Sequence, residues 1–502
     1  MIEPQLTATD LARLAARGLD EDEAHRQFEL LRARPVPRPI VRPCTLQDGI
    51  TQIEAADHPG LLALWHQAAA GGRVSKFVPA SGAATRMFAG LETAEGLAGQ
   101  PGLPGPPTAA AREIHSRRAE FAFAEALATA APGDDVTTTV DALVSPEGLA
   151  LGSLPKALIP FHAYPAGPRS ALVEHLVEAA GYAVAEDQAI KVHFTVTAGH
   201  RELMETLVED ARPDLERRFG APFAVDFSDQ DPASDTLAVD DDGAPARDSS
   251  GELILRPAGH GALLSNLGAL DGGGSGGGRL VVIKNIDNIQ PEHRQPEVCL
   301  WKRLLIGRLV QFESDLQGLG RRVEAGGPDA EAAAQELAEL LGLEVQSPDL
   351  VSWAKARLAR PARVCGMVRN TGEPGGGPFW VQGDSEAATP QIVEAAQIDH
   401  ADPVQEAAWR DATHFNPVDL VCSLDDRQGE PYDLMAFVDP STSFVSRKES
   451  AGRGLWALER PGLWNGAMAG WNTLFVEVPG ATFAPVKTVL DLLRPEHQPA
   501  GV

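Results

Sequence analysis

The sequence has few cysteines and no long apolar segment, and these two features exclude several classes of protein. Its four cysteines lie far apart without a C-x-x-C pair, so neither a zinc framework nor a ladder of disulfides is predicted. No apolar run approaches the roughly 20 residues that a membrane-spanning helix needs. The N-terminal segment is acidic and amphipathic, unlike a signal peptide. We therefore expect a soluble, cytoplasmic protein.

Basic residues are also in short supply. The 502-residue chain has 43 lysines and arginines against 70 aspartates and glutamates, a formal net charge of −27. Proteins that bind nucleic acids need a basic surface to neutralise phosphates, and anionic lipids likewise attract basic segments. We therefore expect neither a nucleic-acid partner nor a membrane partner. A small phosphorylated ligand is compatible with this charge, because it needs only a few cations and backbone amides.

Helix-like and strand-like segments alternate along most of the chain. Such alternation favours a mostly parallel sheet with helices on both faces. Helical periodicity predicts helices at 8–35, 57–71, 111–131, 169–180 and 202–209, and an Ala/Glu-rich helical hairpin at 326–345. Apolar runs predict strands at 75–79, 191–197, 223–227 and 279–283. Gly-rich segments predict loops at 96–110 and 271–278. We divide the chain into an N-terminal helical segment (1–72), a catalytic-type domain (73–440) with insertions near 90–150 and 312–360, and a C-terminal segment (441–502) that completes the site.

The turn after the first predicted strand is a candidate phosphate site. Ala80, Ser81, Gly82 and Ala83 are small, so their amides can approach a phosphate, and a following helix would add positive charge. Arg86 is close enough in sequence to reach the same anion. The turn is neither a P-loop nor a G-x-G-x-x-G motif, and Ser81 lies in P-A-S-G rather than in a nucleophile elbow. An ordinary tight turn without a ligand explains the same residues.

Three further residues have neighbours that suit an anion or a metal ion. Lys156 is held between Pro155 and Pro160; the alternative is an exposed loop lysine. Glycines flank His260 in P-A-G-H-G, which lets a ligand lie against the backbone; the alternative is a structural histidine. Asp287 follows an apolar strand, and the carboxyl end of such a strand is where α/β folds bind ligands. A carboxylate there suits Mg²⁺, although a capping aspartate is the alternative.

The order of these segments resembles that of a known superfamily. V-P-A-S-G-A-A-T-R-M and P-K-A-L-I-P-F resemble the split signature of sugar nucleotidyltransferases, with about seventy residues between the two halves. The segments H-F-T-V-T-A-G-H, F-S-D-Q, P-A-G-H-G, I-D-N and H-F-N-P are similar to successive elements of the UDP-sugar pyrophosphorylase branch. P-V-K-T-V-L-D-L-L resembles the ending of that branch. The chain as a whole also resembles a bacterial family of unknown function.

This resemblance implies a fold, a reaction and a set of site residues. The fold would be the mixed α/β fold of nucleotide-diphospho-sugar transferases, which is GT-A-like or Rossmann-like, with N-terminal helices added. The reaction would be Mg²⁺-dependent transfer of a nucleotidyl group, uridylyl in this branch, from UTP or another nucleoside triphosphate to a sugar 1-phosphate. The implied residues are Arg86, Lys156 and Lys487 as catalytic cations, the amides of Ala80, Ser81, Gly82 and Ala83 with Gln230, Gly259 and His260 for the nucleotide, Asn416 for the sugar, and Asp287 for the metal.

Two departures from the family pattern leave an alternative open. The A-S-G-A turn has less glycine than the turn of the family, which puts nucleotide binding in doubt. A second metal carboxylate does not stand out among Asp399, Asp419 and Asp439. The alternative is a regulatory or non-catalytic protein that binds nucleotide sugars on the same fold.

Overall fold

The computed structural model describes residues 6–34, 39–82, 84–89, 91, 108–184, 188–257, 259–270, 278–372, 375–383, 386–450 and 453–500. The loops predicted at 96–110 and 271–278 lie largely outside the described residues, and Ala83 lies outside them as well.

The described residues form thirteen α-helices. Several begin at a Ser, Thr or Asp whose side chain accepts a hydrogen bond from the first turn, as Ser170 does ahead of α7. The helices are α1 (Ala8–Ala16), α2 (Glu21–Ala33), α3 (His58–Ala70), α4 (Ala109–Ser116), α5 (Ala124–Ala130), α6 (Val136–Val144), α7 (Ala171–Ala180), α8 (Arg201–Phe219), α9 (Leu263–Gly268), α10 (Gln295–Ala325), α11 (Pro328–Leu341), α12 (Leu350–Leu358) and α13 (Pro403–Arg410).

The strands of the described residues are mostly short, and the longer ones are rich in β-branched and aromatic residues. They are β1 (Ile40–Pro43), β2 (Thr45–Leu46), β3 (Gly49–Thr51), β4 (Val74–Pro79), β5 (Pro160–His162), β6 (Arg169–Ser170), β7 (Ile190–Val196), β8 (Phe223–Asp229), β9 (Thr236–Val239), β10 (Leu255–Arg256), β11 (Leu280–Lys284), β12 (Ala362–Arg369), β13 (Gly377–Gln382), β14 (Ala388–Val393), β15 (His414–Phe415), β16 (Asp419–Ser423), β17 (Phe444–Ser450), β18 (Arg453–Glu459) and β19 (Asn472–Glu477).

The chain divides into two compact units. The first unit contains residues 1–68, 230–282 and 304–478. Its main strands follow the order β2-β3-β19-β12-β16, in which the first four pair in parallel and β16 pairs antiparallel with β12. Two smaller antiparallel sheets, β1-β13-β14 and β10-β9-β18-β17, belong to the same unit. Helices α1 and α2 bury Leu14 and Phe28 against Leu237 of β9.

The second unit contains residues 69–229, 283–303 and 479–502. Strands β4, β7 and β8 pair in parallel, and the end of β11 lies beside β4. Every residue of α7 is buried, including Glu174, His175 and Glu178. Because buried polar groups must be hydrogen-bonded, this helix requires polar partners inside the unit.

The predicted fold class is confirmed: the fold is mixed α/β, with mostly parallel pairing and N-terminal helices. The segment predicted as one helix at 8–35 forms two, because Gly18 adopts a left-handed φ of 82° and Asp20 starts α2. The prediction of an α-helix after β4 is wrong, since Ala84–Phe88 form a short 3-10 helix. The predicted domain boundaries stay a prediction. Among the described residues, no helix is long and apolar enough to cross a bilayer.

The expected helix at 111–131 forms as α4 and α5 with a 3-10 turn between them. The helix expected at 202–209 is longer than predicted, since α8 continues to Phe219. In the segment 326–345, α11 is a single helix that begins three residues after α10 ends. The prediction of a helical hairpin within 326–345 is therefore wrong, because this segment contains one helix. The strands expected at 75–79, 191–197, 223–227 and 279–283 are present, with bounds that differ from the predicted ones by one or two residues.

Candidate functional site

Three of the predicted site residues meet in the second unit. Asp287 Oδ2 lies 3.1 Å from Lys156 Nζ and 3.0 Å from Lys487 Nζ, so one carboxylate oxygen accepts hydrogen bonds from both lysines. The side chains of Lys156 and Asp287 are 14% and 12% exposed, whereas that of Lys487 is 55% exposed. The three side chains form a half-open cluster with one negative and two positive charges, which we call the lysine–aspartate cluster.

The C-terminal segment brings Lys487 to this cluster by pairing with the residues after β11. The Val486 amide donates to the Asp287 carbonyl oxygen at 2.9 Å, and the Ala484 amide donates to Asn288 Oδ1 at 3.1 Å. Asn288 and Pro485 also form an isolated β-bridge. These bonds align residues 484–486 with residues 287–288, so Lys487 directly follows a fixed segment.

A helical cap holds the backbone of Lys487 from the other side. Asp491 Oδ2 accepts hydrogen bonds from the amides of Lys487, at 2.8 Å, and Thr488, at 2.7 Å. Thr488 is the N-cap of the 3-10 helix Val489–Leu493, and its capping box with Asp491 is complete. The P-V-K-T-V-L-D-L-L segment therefore forms a local structure that fixes where the Lys487 side chain starts.

Lys156 begins the short 3-10 helix Lys156–Leu158, with Pro155 as its N-cap. Besides Asp287, its Nζ donates to the Val486 carbonyl oxygen at 2.8 Å. Lys156 therefore contacts both the end of β11 and the C-terminal segment. The interpretation of Lys156 as an exposed loop lysine is wrong, because its side chain is mostly buried in this contact.

Opposing effects act on the Asp287 carboxyl group. Burial raises its pKa, but the nearby ammonium groups of Lys487 and Lys156 lower it more, so the pKa of Asp287 lies below its ordinary value. Asp287 is therefore ionised at neutral pH. With both lysines protonated, the lysine–aspartate cluster carries one net positive charge, which favours binding of an anion.

A second charged cluster lies in the buried core of the same unit. Glu178 accepts hydrogen bonds from Lys76 Nζ at 3.0 Å and from Lys284 Nζ at 2.6 Å, and all three side chains are fully buried. The Tyr182 hydroxyl donates to the same carboxylate at 3.2 Å. Burial is the largest of the effects that lower the pKa of Lys76, to about 8, and the nearby charge of Glu178 opposes this lowering. We call Lys76, Glu178 and Lys284 the buried core cluster.

His175 connects the buried core cluster to the candidate site. Its Nε2 donates to the Ile286 carbonyl oxygen at 3.2 Å, one residue before Asp287, and its own carbonyl oxygen accepts from Lys76 Nζ at 2.9 Å. Burial is the main cause that holds the pKa of His175 well below its usual range, so the ring is neutral. The backbone that carries Asp287 is thus anchored on the core side.

The small-residue turn is only partly suited to the role predicted for it. The Ala80 amide donates to Thr195 Oγ1 at 3.2 Å and is buried, so it is not directed at a ligand. Ser81 is half-buried and Gly82 is exposed. Arg86 is exposed on the 3-10 helix, and no hydrogen bond among the described residues joins it to the lysine–aspartate cluster.

The remaining predicted site residues belong to the first unit. Gln230 follows β8 and donates weakly to Ser234 Oγ at 3.5 Å. Gly259 has a left-handed φ of 63° and is followed by His260, whose ring stacks on Trp464 with centroids 4.1 Å apart.

The environments of His260 and Asn416 are also compatible with structural roles. His260 Nδ1 accepts from the Leu463 amide at 3.1 Å, and burial lowers the pKa of this histidine to about 4, so it is neutral. Asn416 is buried, and its Oδ1 accepts from the Val418 amide at 3.1 Å. The nucleotide and sugar contacts expected of these residues stay predictions.

Carboxylates suitable for a second metal ligand are not clustered. Asp399 Oδ1 accepts from the Ala401 amide, and Asp439 Oδ1 accepts from the Ser441 amide, so both cap local turns. Asp419 is buried in β16. Within the part of the chain that the structure describes, no group of three or more His, Cys, Asp or Glu side chains is placed to hold a metal ion.

Two positions in the sequence indicate the buried core cluster. Lys76 interrupts the apolar strand V-S-K-F-V-P, and Lys284 ends the apolar strand L-V-V-I-K. A lysine inside a buried strand needs an anionic partner. That partner, Glu178, is supplied by a helix about a hundred residues away from either lysine, so its identity could not be read from spacing.

The chain belongs to the family described as "Domain of unknown function (DUF4301)", whose model matches residues 7–498. No curated protein matches the chain significantly.

Solved structures of UDP-sugar pyrophosphorylases are similar to the chain. The uridine diphosphate N-acetylglucosamine pyrophosphorylase from Trypanosoma brucei, in complex with inhibitor, is 13% identical over 97% of this chain and 79% of that chain, with a TM-score of 0.44. The UDP-glucose pyrophosphorylase from Leishmania major has the same values. The putative UDP-N-acetylglucosamine pyrophosphorylase from Entamoeba histolytica is 10% identical over 88% and 84% of the two chains, with a TM-score of 0.42.

Proposed function

We propose that the protein transfers a nucleotidyl group from a nucleoside triphosphate to a sugar 1-phosphate, and that this group is uridylyl. One observation carries the proposal: Lys156 and Lys487, which the sequence motifs link to this chemistry, both lie within hydrogen-bond distance of Asp287, the predicted metal ligand. Three residues so far apart in the chain would not be expected to meet if the motif matches were accidental.

The chemistry needs two cations near the reacting phosphorus atom and no covalent nucleophile. A phosphate oxygen of the sugar 1-phosphate attacks the α-phosphorus, the bond to the bridging oxygen breaks, and pyrophosphate leaves. Negative charge builds on the oxygens around the α-phosphorus, and preorganised cations stabilise it. Lys156 and Lys487 supply two ammonium groups, and Asp287 holds both in place before the substrates bind.

We propose Mg²⁺ as the cofactor, with Asp287 as its protein ligand. Both lysine contacts are to Oδ2 of Asp287, so Oδ1 is the oxygen offered to a metal ion. One carboxylate fits, because Mg²⁺ commonly takes one or two carboxylates and completes its coordination with substrate phosphates and water. When bound, the ion would neutralise phosphate charge and polarise the α-phosphate.

The test is to incubate the full chain with Mg²⁺, each of the four ribonucleoside triphosphates and a panel of sugar 1-phosphates. Pyrophosphate release is measured by a coupled assay, and the nucleotide sugar is identified by mass spectrometry. We expect both products from at least one pair, with UTP as the preferred nucleotide. Omission of Mg²⁺ should abolish turnover.

The absence of pyrophosphate with every pair, from protein shown to be folded, would overturn the catalytic proposal. Calorimetry then separates the remaining possibilities. Binding of a nucleotide sugar without turnover would identify a binding protein, which is the second candidate function. The small-residue turn favours this candidate, because the Ala80 amide is already bonded to Thr195 and is not offered to a phosphate. Absence of both binding and turnover would exclude both functions.

A further inference from the structure

A polar cavity in the first unit has no role in the proposed reaction. Its volume is about 420 Å³, within the size range of small-molecule sites. It lies where β12 and β19 begin, beside the end of α12. Residues 382, 383 and 386, near the ends of β13 and β14, and residues 436–440 also line it. Because β12 and β19 are parallel, these amino ends share one edge of the sheet. Ligands of open α/β sheets bind at the carboxyl ends, so this cavity is not explained by the usual position of such a site.

Two arginines line the cavity, and they differ in whether they have an ion-pair partner. Arg357 is buried, and its guanidinium is paired with Glu386 at 2.7 Å, which also accepts from the Trp353 indole at 2.8 Å. Arg360 makes one long hydrogen bond among the described residues, from Nη1 to the Gly470 carbonyl oxygen at 3.4 Å. The Arg357–Glu386 pair is neutral. Asp439 also lines the cavity, and its Oδ1 accepts hydrogen bonds from the amide and hydroxyl of Ser441. Among the described residues, no carboxylate forms an ion pair with Arg360, so its guanidinium is the charged donor of the cavity without a carboxylate partner.

The guanidinium of Arg360 is therefore suited to receive an anion. It has five N–H donors in a planar fork, which matches the oxygens of a phosphate or a carboxylate. Burial, followed by the charge of Arg357, lowers the pKa of Arg360 to about 10, so it is still a cation at neutral pH. A partly buried cation with so few protein partners is costly, and an anionic ligand would offset that cost.

The other lining side chains suit hydroxyl groups. Gln391 is only 8% exposed, and its Nε2 donates to Thr389 Oγ1 at 3.0 Å. Gln382, at the end of β13, lines the same cavity. Amide and hydroxyl groups both donate and accept, so they can hydrogen-bond the hydroxyls of a polyol.

We propose that this cavity is a binding site for a small polyhydroxylated molecule that carries one oxyanion, with Arg360 binding the phosphate or carboxylate group. The Arg357–Glu386 pair keeps the neighbouring charge neutral, and Gln391 and Thr389 contact the hydroxyls. This inference does not depend on the proposed nucleotidyl transfer, because it uses none of the residues of the lysine–aspartate cluster.

The test measures binding to the full chain by isothermal titration calorimetry. The probes are glucose 6-phosphate, gluconate and glucose, which carry a phosphate, a carboxylate and no charge on comparable polyols. We expect glucose 6-phosphate, gluconate or both to bind, and glucose to bind at least about tenfold more weakly. The comparison of the two charged probes shows which oxyanion the site prefers.

Three variants define where the probe binds. Arg360→Gln should weaken the charged probe at least about tenfold, whereas Arg360→Lys, which keeps the charge but not the fork, should lose less. Arg410→Gln removes an exposed arginine of α13 and serves as the matched control. Lys156→Ala should bind the probe like the wild type. Thermal unfolding checks that each variant is folded.

The proposal is overturned if neither charged probe binds, or if a folded Arg360→Gln variant binds as tightly as the wild type. It is also overturned if Lys156→Ala abolishes binding, because the probe would then occupy the lysine–aspartate cluster.

Discussion

At Asp287 a single carboxylate oxygen accepts hydrogen bonds from two lysines that lie 131 and 200 residues away in the sequence. The carboxylate holds two like charges close together, which would otherwise repel each other. Its own ionisation is maintained by those lysines against the effect of burial. The three residues therefore act as one unit, and removal of any member changes the charge state that the other two experience.

The first prediction concerns stability at Asp287. Its pKa is lower in the folded chain than the unfolded value of about 3.9, so the ionised form stabilises the fold above that pH. The contribution is lost as the pH falls through the folded-state pKa. We expect Asp287→Asn to lower the free energy of unfolding by about 1–3 kcal/mol at pH 7, with a smaller difference below pH 4. Urea unfolding across this pH range measures both, and a difference that does not change with pH would contradict the linkage.

The second prediction concerns catalysis by Lys156. If its ammonium group stabilises charge chiefly in the transition state, Lys156→Ala should lower kcat about 100-fold or more while the protein stays folded. Lys355→Ala, on the exposed face of α12, is the matched control and should leave kcat unchanged. An unchanged kcat/KM for Lys156→Ala would show that the lysine is only a structural contact.

At the scale of elements, the end of β11 is held from two sides. On the core side, the buried core cluster and His175 fix Lys284 and Ile286. On the other side, residues 484–486 pair with Asp287 and Asn288. A strand end fixed in this way positions a catalytic group more precisely than a free loop does. Helix α7 is central to this arrangement, since it contributes Glu178 and His175, and Tyr182 follows its end.

The third prediction tests that helix through Glu178. Glu178→Gln leaves Lys76 and Lys284 buried without their anionic partner, so we expect a loss of about 3–5 kcal/mol in the free energy of unfolding. Glu331→Gln, on the exposed face of α11, should change it by less than about 0.5 kcal/mol. The double variant Glu178→Gln/Lys284→Met should recover part of the loss, because it removes one of the unpaired charges. Equal stability of Glu178→Gln and the wild type would refute the assigned role of the buried core cluster.

At the scale of the whole molecule, the net charge determines which partners we expect. The net charge of −27 opposes any extended polyanion, whereas the lysine–aspartate cluster is locally positive and accepts a small one. The charge of the surface and the charge of the site thus differ in sign.

The fourth prediction follows from this contrast. A 20-base-pair DNA duplex should not be retarded by the full chain in a gel-shift assay at about 50 mM salt, where non-specific binding is strongest. Vesicles rich in anionic lipid should likewise leave the chain in the supernatant after sedimentation. Retention by either polyanion would mean that a basic surface exists despite the overall charge.

Much of the fold could be predicted from periodicity, because apolar runs such as the one at 279–283 are buried in the sheet as expected. The missed features are those that local pattern does not encode. The helix expected after β4 is a 3-10 helix, in which the Ala84 amide donates to the distant Leu154 carbonyl oxygen. The single helix expected at 8–35 is broken, because Asp20 is a stronger helix start than the periodicity around it suggested.

The sequence by itself determined the fold class, the net negative charge and the identity of Lys156, Asp287 and Lys487 as candidates, because periodicity, charge and motif order are properties of the chain. Only the tertiary structure decided that these three residues meet, that Glu178 pairs with both Lys76 and Lys284, and that Arg360 makes one long hydrogen bond among the described residues beside the Arg357–Glu386 pair. The physical reason is that each of these pairings joins residues far apart in sequence, and both their attraction and the cost of their burial depend on distances that exist only once the chain has folded.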